Sequence, residues 1–191
     1  TAPAVHTRAR DGGIFDDMDR AVSAAHAAFE ALQATSLAKR FEIISAIREC
    51  GRRETRAISE MAVRETGLGR VDDKLSKNSL VIEKTPGPEI LVPTAASGDH
   101  GLMITERAPY GVIGAITPTT NPTETILCNA IGMISAGNAV VFNVHPGAKG
   151  VSNHLVARLG EAIVSAGGPP NLITSMADPT IAQAEKIDVD L

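Results

Sequence analysis

Aromatic side chains are scarce in this chain: they make up 3% of its 191 residues, with no tryptophan and one tyrosine. Positive charge is not in excess: the chain has 18 lysines and arginines and 22 aspartates and glutamates, which gives a formal net charge of −4. This balance argues against a surface dedicated to nucleic acid or to anionic lipid. No run of about 18 apolar residues is present, so no membrane-spanning helix is predicted. The first residues, TAPAVHTRAR, lack the apolar core of a signal peptide, so none is predicted.

Cysteine is also rare, with Cys50 and Cys128 as the two examples, which fits a reducing compartment better than a disulfide framework. Both are predicted to be structural side chains: Cys50 falls near the apolar stripe of a helix, and Cys128 lies in the apolar stretch ILCNAIGMISAG and is expected in the core. The arginines beside Cys50 favour the alternative, a lowered thiol pKa. The five histidines show no ligand spacing with cysteine or carboxylate, so no metal site is predicted.

The length predicts one domain, or one domain plus an incomplete second. Residues 1–88 are expected to form a helical layer. Asp16 is the predicted N-cap of a first helix, and a second helix is expected to begin near Leu37, with an apolar stripe that is broken around Gly51. A third helix is predicted from about Val71 to Glu83. Nothing in this part of the sequence indicates catalysis on its own, so its predicted role is packing.

Residues 89–108 have a different character. Two short runs rich in apolar and β-branched residues, Ile90–Val92 and Leu102–Thr105, flank the turn-forming segment Ser97–Gly101. This pattern predicts a β-hairpin or two edge strands.

Residues 109–191 alternate between apolar runs and helical segments. Strands are predicted at Tyr110–Thr117 and Asn138–Asn143, both buried on two faces, and at Asn171–Thr174 and Asp188–Leu191. Helices are predicted between them, from about 123 to 136, from about 148 to 166, and briefly after Asp178 and Pro179. Strands joined by crossover helices form a parallel sheet. The predicted fold class is therefore α/β, a helical N-terminal segment plus a doubly wound, mainly parallel Rossmann-like sheet that is incomplete at its last strand.

Open parallel sheets bind ligands at the carboxyl ends of their strands, so the loops at 118–122 and 144–149 are expected to carry the chemistry. In the first loop, TPTTNPTET, two prolines stiffen a bend that leads directly into a helix. A helix start offers unpaired N–H groups to an oxyanion or a phosphate, and the Asn121 amide is a donor of the type used in oxyanion holes. Alternatively, Asn121 and Thr123 simply cap the helix.

The second loop, NVHPGAKG, also ends a strand and opens a helix. His145 and Lys149 can approach a nucleotide phosphate or ribose there, and Gly147 permits close backbone approach. The alternative is a turn that begins the helix, with a solvated histidine and lysine. No G-x-G-x-x-G follows a predicted strand, and no P-loop is present. We expect the two loops to share one cleft.

The segment ERAPYGVIGAITPTTNPTETILCNAIGMISAGNAVVFNVHPGAKGVS closely resembles the CoA-acylating branch of the aldehyde dehydrogenase superfamily, the propionaldehyde and acetaldehyde dehydrogenases of bacterial microcompartments. The likeness extends to GIFDDMDRAVSAAHAAFEAL, ETGLGRVDDKLSKNSLVIEKTPG and GGPPNLITSMADPTIAQAEK, and it covers nearly the whole chain. The two motifs TPTTNPTE and FNVHPGAKG distinguish this branch from general aldehyde dehydrogenases, which carry Pro-Trp-Asn-x-Pro and a lysine-containing loop at those places.

The resemblance implies an enzyme that uses NAD to convert a short-chain aldehyde, propionaldehyde or acetaldehyde, and coenzyme A into acyl-CoA through a cysteine thioester. In that reaction the oxyanion is held by backbone N–H and an amide, and Asn121 is favoured for the amide by its chemistry. The cofactor-binding residues that it implies are Thr117, Pro118, Thr119, Thr120, Asn143, His145, Pro146 and Gly147. An ungapped match to general members instead places Thr120 at the oxyanion asparagine, and it places Asn143 where they have the lysine that holds the adenosine ribose.

Neither cysteine matches the family's nucleophile, so this chain alone is expected to be inactive. By resemblance, residues 1–88 are the helical N-terminal part of the cofactor domain and 109–191 a truncated NAD-binding core, with the short strands of 89–108 between them. The resemblance also implies a homo-oligomer of the full-length protein, and a location in the cytoplasm or in the lumen of a microcompartment with shell proteins as partners. Two other interpretations stay open: a non-catalytic nucleotide-binding or assembly module, and a hydrolytic aldehyde dehydrogenase.

Overall fold

The computed structural model describes residues 12–180 and residue 183. The helices in this part of the chain are α1 (Met18–Gln33), α2 (Leu37–Thr66), α3 (Val71–Lys84), α4 (Pro122–Ser135) and α5 (Lys149–Ser165). The strands are β1 (Ile14–Phe15), β2 (Thr94–Gly98), β3 (Gly101–Thr105), β4 (Val112–Ile116), β5 (Ala139–Asn143) and β6 (Ile173–Met176). The helix predicted after Pro179 and the strand predicted at Asp188–Leu191 fall outside the described residues.

Four strands form one parallel sheet in the order β1-β6-β5-β4. β4 pairs with β5 from Val112 opposite Ala139 to Ile116 opposite Asn143. β6 pairs with β5 on one side and with the two-residue β1 on the other. α4 and α5 cross over between successive parallel strands, as parallel pairing requires. The predicted α/β fold class is confirmed.

Helices cover both faces of this sheet. α1 packs against β4, β5 and β6, whereas α4 and α5 pack on the opposite face against β5 and β6. α2 forms an outer layer across α3, α4 and α5. The core lies between these layers and includes the fully buried Leu32, Ile131, Phe142 and Leu159. Among the described residues, no helix is both long enough and apolar enough to cross a bilayer.

The two strands that are predicted to be buried on both faces, β4 and β5, differ in how deeply they are buried. β5 is buried at every position, as predicted. The prediction for β4 is wrong, because this strand lies at the edge of the described sheet and Ile116 is 64% exposed. An apolar run therefore predicts the strand itself but not its place in the sheet.

α2 runs without interruption from Leu37 to Thr66, through the break in its apolar stripe at Gly51. A Cβ atom on Gly51 would lie 3.0 Å from Ile82 Cδ1 and 3.1 Å from Leu127 Cδ2. Gly51 therefore permits α3 and α4 to pack closely against α2 while keeping helical geometry.

Two smaller predictions, for the start of α1 and for the hairpin, are corrected. The N-cap of α1 is Asp17 rather than Asp16, since the Asp17 carboxylate accepts the N–H group of Arg20 at 3.0 Å. The predicted hairpin is present, with β2 and β3 antiparallel. Its first strand is not Ile90–Val92, because Pro88–Leu91 forms a 3₁₀ turn ahead of it.

Candidate functional site

The loops that follow β4 and β5 meet at the carboxyl edge of the sheet. Thr117, directly after β4, donates its N–H group to the carbonyl of Asn143 at the end of β5, at 3.3 Å. Further out, a Cβ atom on Gly147 would lie 3.7 Å from Thr119 Cγ2. The structure thus brings the two loops together, while the roles assigned to their residues stay predictions.

Asn121 ends the first loop and is the residue before α4. Its backbone carbonyl accepts the N–H group of Thr125 at 3.1 Å, but its side chain makes no capping hydrogen bond. Thr123, the other candidate cap, is buried and donates its hydroxyl to the neighbouring Glu124 carboxylate at 3.1 Å. The Asn121 amide is therefore not engaged as a helix cap.

The Asn121 amide has a defined orientation. Its Oδ1 atom accepts a hydrogen bond from Lys77 Nζ on α3, at 3.3 Å. An ammonium group offers donors and no acceptor, so the amide oxygen must face Lys77 and the NH₂ group must face away. Within residues 12–180 no acceptor bonds that NH₂ group, which leaves a half-buried donor pair at the sheet edge.

A buried ion pair lies beneath the first loop. Lys74 Nζ, also from α3, is 3.3 Å from Glu124 Oε1, and the two side chains are 4% and 8% exposed. Lys74 also donates to the backbone carbonyl of Thr120. Sequence reasoning missed this pair, because a lone helical lysine in a charged segment indicates a solvated side chain.

The second loop exposes His145, Pro146 and Gly147 and keeps Asn143 buried. His145 Nδ1 accepts the N–H group of Gly147 at 3.0 Å, so the ring proton of the neutral imidazole lies on Nε2. Asn143 Nδ2 donates to the carbonyl of Thr180 at 3.2 Å. Within the described part of the chain, Asn143 Oδ1 and Thr117 Oγ1 are buried polar atoms without a partner.

The N-terminus of α5 is already capped by a side chain from α2. Both oxygens of the Glu65 carboxylate are used, one by the N–H group of Gly150 and one by that of Val151, each at 2.7 Å. Lys149 pairs with Asp178 at 2.5 Å. The positive end of this helix therefore faces a carboxylate from the chain itself.

A groove of about 360 Å³ lies beside Asn121, between α3 and α4. Leu80, Thr125 and Cys128 are among the residues that line it. Cys128 is exposed, so the prediction of a core position is wrong. α4 is apolar on nearly every side, and its sequence does not reveal which side faces the sheet.

Cys50 is buried, which confirms the predicted structural role. Its Sγ atom contacts the carbonyl of Arg158 at 3.4 Å. Burial and the nearby Glu54 carboxylate raise the pKa of the Cys50 thiol. The alternative of an activated thiolate is therefore wrong. Among the described residues, no group of three or more histidine, cysteine, aspartate or glutamate side chains is arranged to hold a metal ion.

Comparison with known proteins identifies the family. Residues 13–187 match the profile of the aldehyde dehydrogenase family. The chain belongs to this family. This aldehyde dehydrogenase chain is 47% identical over 175 residues to the acetylating acetaldehyde dehydrogenase EutE of Salmonella typhimurium. The match covers 92% of the chain and 37% of that relative. It is 41% identical over 175 residues to the CoA-propanoylating propanal dehydrogenase of the same organism. That match covers 92% of the chain and 38% of the relative.

Solved aldehyde dehydrogenases share the fold. The propionaldehyde dehydrogenase of Rhodopseudomonas palustris, crystallised with bound CoA and an acylated cysteine, is 45% identical with a TM-score of 0.89, over 93% of this chain and 41% of that one. The propionaldehyde dehydrogenase from the fucose utilisation microcompartment of Clostridium phytofermentans is 50% identical, with a TM-score of 0.87. The match covers 92% of this chain and 40% of that one. The chain thus spans about two fifths of the length of the relatives that it matches.

Proposed function

We propose that the full-length protein to which this chain belongs is an NAD-dependent, CoA-acylating aldehyde dehydrogenase that converts propionaldehyde or acetaldehyde into the acyl-CoA. The observation that carries the proposal is the shared sheet edge, where the Asn121 loop and the His145 loop meet. Similarity to acetylating and CoA-propanoylating relatives over 92% of the chain supports the acylating reaction.

Asn121 is the proposed oxyanion donor. When a nucleophile attacks an aldehyde, the carbonyl oxygen gains negative charge, and a positioned amide N–H group stabilises it. Lys77 holds the oxygen end of the Asn121 amide, so the NH₂ end is available for this purpose. The start of α4 adds the positive end of a helix dipole next to it. The groove between α3 and α4 is the proposed approach for the aldehyde.

The second loop fits the ribose of a dinucleotide better than its pyrophosphate. The exposed His145 offers an Nε2–H donor to a ribose hydroxyl group. The Glu65 carboxylate at the start of α5 disfavours a phosphate there, since like charges repel. The residues proposed to contact NAD are Thr117, Pro118, Thr119, Thr120, Asn143, His145, Pro146 and Gly147. When bound, NAD supplies the hydride acceptor, and coenzyme A supplies the acceptor for the acyl group.

Steady-state kinetics of the full-length enzyme with propionaldehyde, NAD and coenzyme A tests this function. Asn121→Ala removes the donor, and kcat is expected to fall by about 10²–10³, with a much smaller change in the KM for the aldehyde. Thr120→Ala is the neighbouring comparison: a kcat loss confined to Thr120→Ala would assign the oxyanion to Thr120. Formation of free acid at the same rate without coenzyme A would replace the acylating assignment with the hydrolytic one.

Oligomerisation and location are part of the same proposal. Every residue of the β2–β3 hairpin is exposed, including Leu102, Met103 and Ile104. Exposed apolar side chains on a hairpin favour burial against a second copy. We propose a homo-oligomer of the full-length protein, which sedimentation of wild type and of the double variant Leu102→Ser/Ile104→Ser tests. The microcompartment origin of one similar structure supports a location in that lumen, with shell proteins as partners.

A further inference from the structure

We propose that Lys74 and Lys77 are positioning residues for the oxyanion donor: Lys74 holds the Thr120–Asn121 turn through its buried pair with Glu124, and Lys77 sets the direction of the Asn121 amide. The inference deepens the proposed function and rests on the role given there to Asn121. It concerns two side chains of α3 that lie one helical turn apart and face the same loop.

Lys74 connects the chain on both sides of Asn121. Its ammonium group donates to the carbonyl of Thr120, which belongs to the peptide plane leading into Asn121. The same group lies 3.3 Å from the carboxylate of Glu124, three residues further on in the first turn of α4. Because a peptide unit is planar, holding the Thr120 carbonyl also fixes the direction from which the chain enters Asn121.

Stability alone does not account for a buried ion pair at this place. Two charges lose their hydration on burial, and an apolar pair of similar volume often stabilises a fold equally well or better. What the ion pair supplies is directed hydrogen bonding: a lysine offers three donors, and here they reach a backbone carbonyl and a carboxylate. The turn it holds is the one that presents Asn121, whose φ of −135° and ψ of 57° are neither helical nor extended.

Lys77 acts on the amide itself. The 3.3 Å hydrogen bond to Asn121 Oδ1 keeps the oxygen end of the amide toward α3. Without that donor the amide is free to rotate and to present its oxygen instead of its NH₂ group. An oxygen facing a developing oxyanion repels it, so orientation decides whether Asn121 helps or hinders.

The test is a set of kinetic cycles in the full-length enzyme. Lys74→Met/Glu124→Met removes both charges together, and Lys77→Met removes the exposed donor without burying or orphaning a charge. We expect kcat to fall roughly 10–100-fold in the first variant and about tenfold in the second, because small displacements of a reacting group have effects of this size. The KM values for aldehyde and NAD are expected to stay within about twofold. Lys84→Met, the same substitution at an exposed position of α3, is the matched control and should leave kcat unchanged.

The same substitutions in an Asn121→Ala background show whether the lysines act through Asn121. We expect no further loss of kcat there, since a positioning residue has no effect once its target is gone. Equal losses in both backgrounds, or full kcat in Lys77→Met and in a folded Lys74→Met/Glu124→Met, would overturn the inference. An Asn121→Ala enzyme with wild-type kcat would overturn the proposed oxyanion role instead, so the two failures are distinguishable.

Discussion

The carboxylate of Glu65 accepts the backbone N–H group of Gly150 at 2.7 Å, so the last turn of α2 caps the first turn of α5. The second carboxylate oxygen does the same for Val151. The first N–H groups of a helix lack partners within the helix, and a negative charge near them is also favoured by the helix dipole. One side chain therefore joins two helices that are far apart in the sequence, directly behind the His145 loop.

Removal of this cap is expected to destabilise the fold. Glu65→Ala should lower the free energy of unfolding by about 1–2 kcal/mol, the typical value for a lost N-terminal cap. Urea denaturation followed by circular dichroism measures the change. Glu60→Ala is the control, because Glu60 makes an exposed pair with Arg56 on the same helix and should contribute less than about 0.5 kcal/mol. Equal effects of the two substitutions would contradict the capping role.

The buried pair of Lys74 and Glu124 predicts an unusual pattern of stability. Lys74→Met alone leaves Glu124 buried without its counter-charge and should cost about 3–5 kcal/mol. Lys74→Met/Glu124→Met should recover most of that loss, since two methionines leave no uncompensated charge. Thermal unfolding of the two variants and of wild type measures the comparison. A double variant that is less stable than the single one would contradict this account.

The sequence predicts most of the fold because the strongest patterns lie in its deepest parts. β5 is an apolar run bounded by turn residues and is buried throughout, as predicted. β1 was missed, since two residues are too short for any periodicity to appear. Gly51 interrupts the apolar stripe of α2, and the sequence does not reveal that the absence of a side chain there is used for packing.

The site was predictable in outline and not in its supporting contacts. The rule that parallel strands end at one edge was enough to bring Asn121 and His145 to neighbouring loops. Lys74 and Glu65 act on those loops across more than 40 positions of sequence, as the separations of their hydrogen bonds show. Each is an ordinary charged residue in its own segment, and nothing local indicates its distant partner. Cys128 was placed in the core because α4 is apolar all round.

The two thiols are expected to differ in reactivity. Cys50 is buried and its pKa is raised, whereas Cys128 is exposed in the groove beside α4. Since the thiolate is the reactive form, Cys50 should be alkylated by iodoacetamide at least about tenfold more slowly than Cys128 in the native 191-residue chain. Mass spectrometry of tryptic peptides measures both rates. Cys128→Ser should remove the fast phase, and equal rates in native protein would show that Cys50 is not buried.

Glu54 is expected to make stability depend on acid. Burial alone would raise the pKa of this carboxyl group, but hydrogen bonds from Arg158 at 3.1 Å and His154 at 3.3 Å outweigh it, and the pKa is lowered. A carboxyl group whose pKa is lower in the folded state stabilises the fold above its unfolded pKa, and this contribution disappears as pH falls through the folded pKa.

Glu54→Gln should therefore lower the free energy of unfolding near pH 7, by about 1–3 kcal/mol for a lost charged hydrogen-bond acceptor. The difference from wild type should shrink as the pH falls below about 4.3, the ordinary pKa of glutamate, because wild type then loses the same contribution. Urea denaturation from about pH 7 to about pH 3 measures both curves. Glu49→Gln, at an exposed position of α2, is the matched control and should change stability by less than about 0.5 kcal/mol. A wild-type advantage over Glu54→Gln that grows as the pH falls below about 4.3 would show that the pKa of Glu54 is raised rather than lowered.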